Sequence, residues 1–77
     1  MDEFATSPLS PENYLRDIFS ARAAREGGVI RRKRRDIYRF VGRARFEDEL
    51  RRRGFHAVEN GGQIVIFCND APIRLIL

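Results

Sequence analysis

A chain of 77 residues forms one domain at most, and a core of that size supports a stability of only about 3–5 kcal/mol. Charged residues make up 34% of the chain and hydrophobic residues 43%, a balance that fits a folded protein rather than a disordered one. The single cysteine, Cys68, excludes an internal disulfide and a zinc site made of several cysteines of one chain.

The first residues predict a disordered leader over 1–9, followed by one small α+β domain over 10–77. The acidic start at Met1 to Phe4 has no apolar run, so we expect no secretory signal. No apolar stretch approaches the roughly 20 residues that cross a bilayer. The expected location is therefore cytoplasmic, with no membrane partner.

The first predicted helix spans residues 11–26. Ser10 is a typical N-cap, and Pro11 suits the first helical position. Gly27 and Gly28 end the helix, because glycine adopts the left-handed conformation at low cost. Apolar residues recur at helical spacing on one side, at Tyr14, Leu15, Ile18, Phe19, Ala21, Ala23 and Ala24.

The middle of the chain predicts a short strand and two more helices. Residues 29–33 are interpreted as the strand. Asp36 is the expected N-cap of a short helix that continues to Val41. Gly42 interrupts the helical pattern, and a further helix covers 43–53.

A β-hairpin is predicted over residues 55–68, turning at Asn60 to Gly62. Alternation places Phe55, Ala57, Ile64, Ile66 and Cys68 on one face, and His56, Val58, Val65 and Phe67 on the other. The strand at 64–68 is apolar on both faces, which indicates a central position in the sheet.

The last five residues, 73–77, include four large apolar side chains. Two interpretations remain open. The segment forms a final strand beside 64–68 after a turn at 69–72, or it is a hydrophobic tail for a partner chain. The first interpretation is preferred, because residues 69–72 are a natural short reversal of the chain. That interpretation favours a monomer over a homodimer.

Basic charge is concentrated between Arg22 and Arg53. That stretch carries 13 Lys and Arg against 5 acidic residues, a net charge of +8, whereas the remainder has a net charge of −4. A GC-rich genome would explain the preference for arginine over lysine, but it would not explain the clustering. Guanidinium groups pair with phosphate in a two-pronged geometry, so the cluster predicts a polyanionic partner.

The candidate nucleic-acid-binding residues all lie in the range 31–53. The alternative interpretation is a solvated basic face in which arginines of the 31–35 run pair with the acids at 47–49. The ten candidates are Arg31, Arg32, Lys33, Arg34, Arg35, Arg39, Arg43, Arg45, Arg51 and Arg52. Tyr38 and Phe40 lie beside them and could stack on bases, although core packing is the preferred interpretation.

Catalytic and metal-binding residues are not indicated. His56 has no partner visible in the sequence, and strand alternation directs it away from Cys68. Cys68 is expected to be a buried, inert thiol. Neither an enzyme nor a cofactor-binding protein is predicted.

The predicted fold is two or three helices packed on a small, mostly antiparallel sheet with a C-terminal hairpin. The order helix, strand, helix, helix, hairpin resembles the winged helix-turn-helix family, which implies that helix 43–53 enters the DNA major groove. The predicted function is a non-enzymatic module that binds DNA or RNA through phosphate contacts. The alternative is a protein-interaction or assembly module, whose basic face meets an acidic protein and whose last strand binds a partner chain.

Overall fold

A computed structural model of the chain describes residues 10–77, and the predicted leader at 1–9 lies outside them. The helices are Pro11–Phe19 (α1), Arg22–Arg25 (α2), Arg34–Phe40 (α3) and Arg43–Arg53 (α4), and the strands are Val29–Lys33 (β1), His56–Asn60 (β2) and Gln63–Phe67 (β3). The strands form one antiparallel sheet in the order β1-β3-β2. The α+β class is confirmed, with four helices in residues 10–77 rather than two or three.

The hairpin formed by β2 and β3 confirms the predicted turn and the central position of β3. Gly61 and Gly62 both have positive φ, 56° and 79°, which is the backbone geometry of a tight turn that matches the twist of the flanking strands. Ile66 of β3 lies opposite Ile30 on one side and Ala57 on the other. Both sides of β3 are therefore occupied by neighbouring strands.

The core lies between the helices and one face of the sheet. Ile18 of α1, Ile37 of α3 and Ile66 of β3 are fully buried there. The predicted inner face of the hairpin is confirmed, because Ile66 and Cys68 are buried while His56 on the opposite face is exposed. The other face of the sheet has no helix packed on it in residues 10–77.

The predicted single helix over 11–26 is wrong, because the chain bends at Ser20 and Ala21. The Ser20 hydroxyl donates to the Asp17 carbonyl oxygen at 3.2 Å, and Ala21 has extended backbone (φ −61°, ψ 150°). Serine that bonds to nearby backbone in this way competes with the helical bonds. The bend turns α2 so that Gly28 N donates to Ala23 O at 2.7 Å, which brings the chain to the start of β1.

The predicted N-cap at Asp36 is also wrong, since α3 begins at Arg34 and its N-cap is Lys33, three residues before Asp36. No side chain caps this helix end. Instead, Arg34 N donates to Gly62 O in the hairpin turn at 2.9 Å. A tertiary hydrogen bond takes the place of the expected local cap, and it ties α3 to the tip of the hairpin.

The predicted final strand beside 64–68 is not formed. β3 already pairs with β1 and β2, so no edge of β3 is free for a further strand. Residues 73–77 lie outside the sheet, with Leu75, Ile76 and Leu77 at 90%, 97% and 108% relative exposure. The reason for preferring a monomer therefore no longer holds.

Candidate nucleic-acid interface

The ten predicted contact residues lie on three consecutive elements. Arg31, Arg32 and Lys33 belong to β1, Arg34, Arg35 and Arg39 belong to α3, and Arg43, Arg45, Arg51 and Arg52 belong to α4. The three groups differ in their ion pairs, because the acidic residues available to them are distributed unevenly along the chain.

The arginines of α4 are paired with acids of the same helix. Arg43 Nε lies 2.8 Å from Glu47 Oε2, one helical turn away. Arg51 Nη1 lies 2.6 Å from Asp48 Oδ1, and its other terminal nitrogen lies 3.4 Å from Glu47. The hydrogen bond from Arg43 lowers the pKa of Glu47 and raises that of the guanidinium. These side chains are exposed, but their charges already have partners.

Glu49 is a buried carboxylate held by arginines of α4. Its side chain is 6% exposed and accepts hydrogen bonds from Arg52 and from Arg53, the latter at 2.6 Å. Burial acts to raise the pKa of Glu49, but the hydrogen bonds and charges of Arg52 and Arg53 outweigh it and lower the pKa. Arg53 also lies 4.4 Å above the Phe19 ring of α1. This cluster therefore joins α4 to α1.

The alternative interpretation, in which arginines of the 31–35 run pair with the acids at 47–49, is not what residues 10–77 show. In residues 10–77 these acids bond to arginines three or four positions away on α4, with Arg45 spanning Glu49 and Glu12 of α1 at 3.8 and 3.6 Å. Glu49 and Arg53 are four positions apart, which is the spacing of neighbouring side chains on one helix face. The sequence therefore contained the signal from which this anchoring pair could have been predicted.

The cations of β1 have no acidic partner within residues 10–77. No carboxylate oxygen lies within 4.0 Å of Arg31, Arg32 or Lys33. Arg32 donates to the Arg31 carbonyl oxygen at 2.7 Å and is half-buried on the helix side. Arg31 and Lys33 are exposed on the opposite, uncovered face of the sheet, because successive side chains of a strand alternate.

The cations of α3 are intermediate between these two groups. Arg34 Nη1 lies 2.7 Å from Glu59 Oε2 of β2, and Arg35 lies 3.8 Å from its neighbour Asp36. Arg39 has no ion pair among the described residues and lies 5.6 Å above the Phe40 ring. Phe40 in turn contacts Tyr14, with ring centroids 5.2 Å apart.

A shallow basic cavity lies where β1, α3 and the hairpin turn meet. Its volume is about 350 Å³, and it is lined by Lys33, Arg34, Arg35, Gly61, Gly62 and Gln63. Three of the six lining residues are cationic and none is acidic. The lining suits an anion, and it continues the row of β1 cations toward α3.

The uncovered face of the sheet combines apolar and basic side chains. Val65 lies between Arg31 on β1 and Val58 on β2, and Phe67 lies between Val29 and His56. Val29 and Val58 are 48% and 40% exposed. The predicted aromatic candidates lie elsewhere: Tyr38 borders a cavity between α4 and β2, and Phe40 packs on Tyr14.

His56 and Cys68 lie on opposite faces of the sheet, as the alternation predicted. Cys68 is buried at 3% exposure, and burial raises the pKa of its thiol. A thiol in that state is a poor nucleophile. In residues 10–77 no group of three or more His, Cys, Asp or Glu side chains is arranged to hold a metal ion.

The geometry thus separates one set of free cations from a larger set of paired ones. No helix of the described segment is long and apolar enough to cross a membrane. Comparison with protein-family models, with curated proteins and with solved structures finds no match to this chain.

Proposed function

We propose that this chain is a non-enzymatic nucleic-acid-binding module whose phosphate contacts centre on β1. The observation that carries the proposal is the lack of any acidic partner for Arg31, Arg32 and Lys33 among the described residues. Arg31 and Lys33, which are exposed on one face of the sheet without counter-charges, attract a polyanion more strongly than two internally paired arginines.

The difference between free and paired cations matters for binding energy. Most of the affinity of a nucleic-acid contact comes from counterions released when a cation neutralises a phosphate. A guanidinium that already bonds to a carboxylate must share or lose that bond first. The arginines of α4 carry this cost, whereas Arg31 and Lys33 do not.

The basic cavity extends the proposed surface. Lys33 belongs both to β1 and to the cavity wall, and Arg35 adds an exposed cation there. A phosphate backbone that follows Arg31 and Lys33 would reach this cavity without meeting an acidic lining residue. The neighbouring Arg34 remains tied to Glu59 and contributes less.

The winged-helix resemblance offers a different mode of binding to the same class of partner. The element order on which it rests is present, and α4 would then enter the major groove of duplex DNA. The hairpin turn, Gly61-Gly62, has no side chain and carries no cation. We favour β1 over α4 because the α4 arginines are paired.

Two charge-matched double variants test the proposal. One is Arg31→Gln with Lys33→Gln on β1, and the control is Arg43→Gln with Arg51→Gln on α4. Both remove two positive charges, so a binding effect that depends only on net charge would be equal in the two. Binding is measured by titrating labelled duplex and single-stranded DNA and RNA at two salt concentrations, with circular dichroism to check folding.

The β1 variant is expected to weaken binding by about 10-fold or more and to reduce the slope of log K against log salt by roughly 1.4–1.8. The α4 control should change affinity by less than about 3-fold. Equal losses in both variants would contradict the placement on β1. Nucleic-acid binding itself would be contradicted if the unmodified chain bound no more tightly than about millimolar at low salt, or if its affinity did not depend on salt.

A further inference from the structure

The exposed segment 73–77 is the part of the molecule that the proposed function does not use. Its apolar residues Ile73, Leu75, Ile76 and Leu77 are 45%, 90%, 97% and 108% exposed. Large apolar side chains grouped in this way on a surface mark an interaction site. The sheet of the same chain offers no place beside β3, since both of its sides are filled.

The outer edge of β2 is a suitable acceptor for such a segment. β2 pairs with β3 on one side, and in residues 10–77 no strand pairs with its other side. The opposite edge of the sheet, β1, carries Arg31, Arg32 and Lys33, and cationic side chains discourage the addition of a strand. β2 carries a single charged residue, Glu59. The two edges are therefore not equally open to pairing.

A cavity of about 280 Å³ runs along β2 on the side of α4. Phe46, Leu50, Ala57 and Ile64 form much of its apolar lining, and Tyr38 borders it from α3. The charged residues at this cavity are both acidic, Glu47 and Glu59. Both acids already have arginine partners in the same chain, so what the groove offers a partner is mainly its apolar lining. The one charged residue of the exposed segment is Arg74, which the cationic β1 edge repels.

The alternation of the segment fits this groove. Ile73, Leu75 and Leu77 share one face of an extended strand, and Ile76 falls on the other. A strand added to the edge of β2 places the first set over the cavity beside α4. Ile76 then lies on the open face of the sheet, on the same side as the exposed Val58.

The attachment of the segment directs it away from the β2 edge of its own chain. The Asn69 side chain donates to Gly27 O at 2.9 Å and accepts from Ala71 N at 3.0 Å. Gly27 immediately precedes β1, and Cys68 N donates to Gly28 O beside it. The chain therefore leaves β3 beside the start of β1, and residues 71–74 line a cavity with Phe67 of β3 rather than the groove along β2.

We propose that the 73–77 segment of each chain adds as a strand to the β2 edge of a second copy, with reciprocal exchange in a symmetric dimer. Every chain carries both the segment and the groove, which is the requirement for a two-fold interface. At about 60–120 Å² for each buried apolar side chain, two segments and two grooves bury roughly 1,000–2,000 Å², which reaches the range of stable interfaces.

Sedimentation of the full chain tests the proposal without nucleic acid present. The unmodified chain is expected to form a dimer of the 9.0 kDa protomer at concentrations up to about 1 mM. Leu75→Asp with Leu77→Asp removes the segment's apolar face, and Tyr38→Glu places a charge at the groove. Each variant should weaken dimerisation by at least about 10-fold. All three residues are exposed, so the fold should be unchanged by circular dichroism.

Val29→Asp is the control, because it adds the same charge at an exposed position on the β1 edge, away from the groove. It should leave the dimer intact. Mixing the segment variant with the groove variant should restore a weak heterodimer, since each supplies the element that the other lacks.

A monomer across the whole concentration range would overturn the proposal, as would a dimer that survives the double Asp change. The assignment to the β2 groove would be overturned if the double Asp variant became monomeric while the Tyr38→Glu variant stayed dimeric. Open-ended association into larger species would overturn the reciprocal exchange.

Discussion

Strand β1 and helix α4 are both rich in arginine, yet their cations have different surroundings. On α4 the arginines lie on both sides of the acidic run 47–49, three or four positions from its members, so each guanidinium meets a carboxylate of the same helix. On β1 three cations follow one another, and the described part of the chain supplies no acid to them. Positive charge in a sequence therefore does not show where positive charge is available to a ligand.

The comparison also separates two roles of arginine. The cluster of Arg52 and Arg53 around Glu49 lies partly inside the molecule and connects α4 to the Phe19 ring of α1. Its role is structural. Arg31 and Lys33 of β1 contribute little to packing, since they are exposed on the face of the sheet that no helix of residues 10–77 covers. Changes in the two regions should consequently alter different measured properties.

The largest effect is expected from the carboxylate at the centre of the α4 cluster. Glu49→Ala removes hydrogen bonds to two charged groups, and we expect a loss of about 1.5–3 kcal/mol in the free energy of unfolding. Urea denaturation followed by circular dichroism measures it. Asp48→Ala on the exposed side of the same helix is the control, and it should cost less than about 1 kcal/mol. Equal losses would show that Glu49 has no special structural role.

A smaller effect is expected when the acidic partners of the α4 arginines are removed, so that these arginines become unpaired like the cations of β1. Glu47→Gln with Asp48→Asn releases Arg43 and Arg51 from their ion pairs, and the net charge rises by two. If the ion pairs are what keeps the α4 arginines from contacting phosphate, nucleic-acid affinity should rise about 3- to 10-fold at low salt. The control is Asp17→Asn with Asp70→Asn, which makes the same change in charge without releasing an arginine of α4. An equal gain in both would indicate that only net charge counts.

The smallest effect is a pH dependence of stability that arises at Glu49 of α4. The folded-state pKa of Glu49 lies below its ordinary value of 4.5, so its contribution to stability is present above pH 4.5 and is lost as the pH falls through the folded pKa. The stability difference between the unmodified chain and Glu49→Gln should be constant at neutral pH and shrink in acid. Urea titrations at several pH values measure it, and a difference that grows in acid would contradict the lowered pKa.

Most local elements follow from the residues alone. Helix α4 ends where Gly54 adopts the left-handed conformation, and the hairpin turns at Gly61 and Gly62 as its glycines predict. The central position of β3 followed from its apolar character on both faces. These features depend on short-range geometry and on hydrophobic patterning, which are both written in a few consecutive residues.

Two of the wrong predictions, at Arg34 and at 73–77, concern partners that are distant in sequence, whereas the bend at Ser20 has a local cause. Ser20 ends α1 within a helical pattern, and the bend allows α2 to lead into β1. Arg34 begins α3 because Gly62, 28 residues later, accepts its backbone hydrogen bond. The strand predicted at 73–77 is displaced because β1 already lies beside β3. Gly62 and β1 both lie far in sequence from the segments that they affect.

The sequence by itself determined the α+β class, the central hairpin strand and the arginine-rich stretch, because each depends on residue type and spacing within a short window. The ion pairs of α4 follow from helical spacing, but only the tertiary structure decided that no carboxylate of residues 10–77 lies within 4.0 Å of Arg31, Arg32 or Lys33. It also decided that 73–77 is exposed, because the place beside β3 goes to whichever strand packs there best, and β1 occupies it.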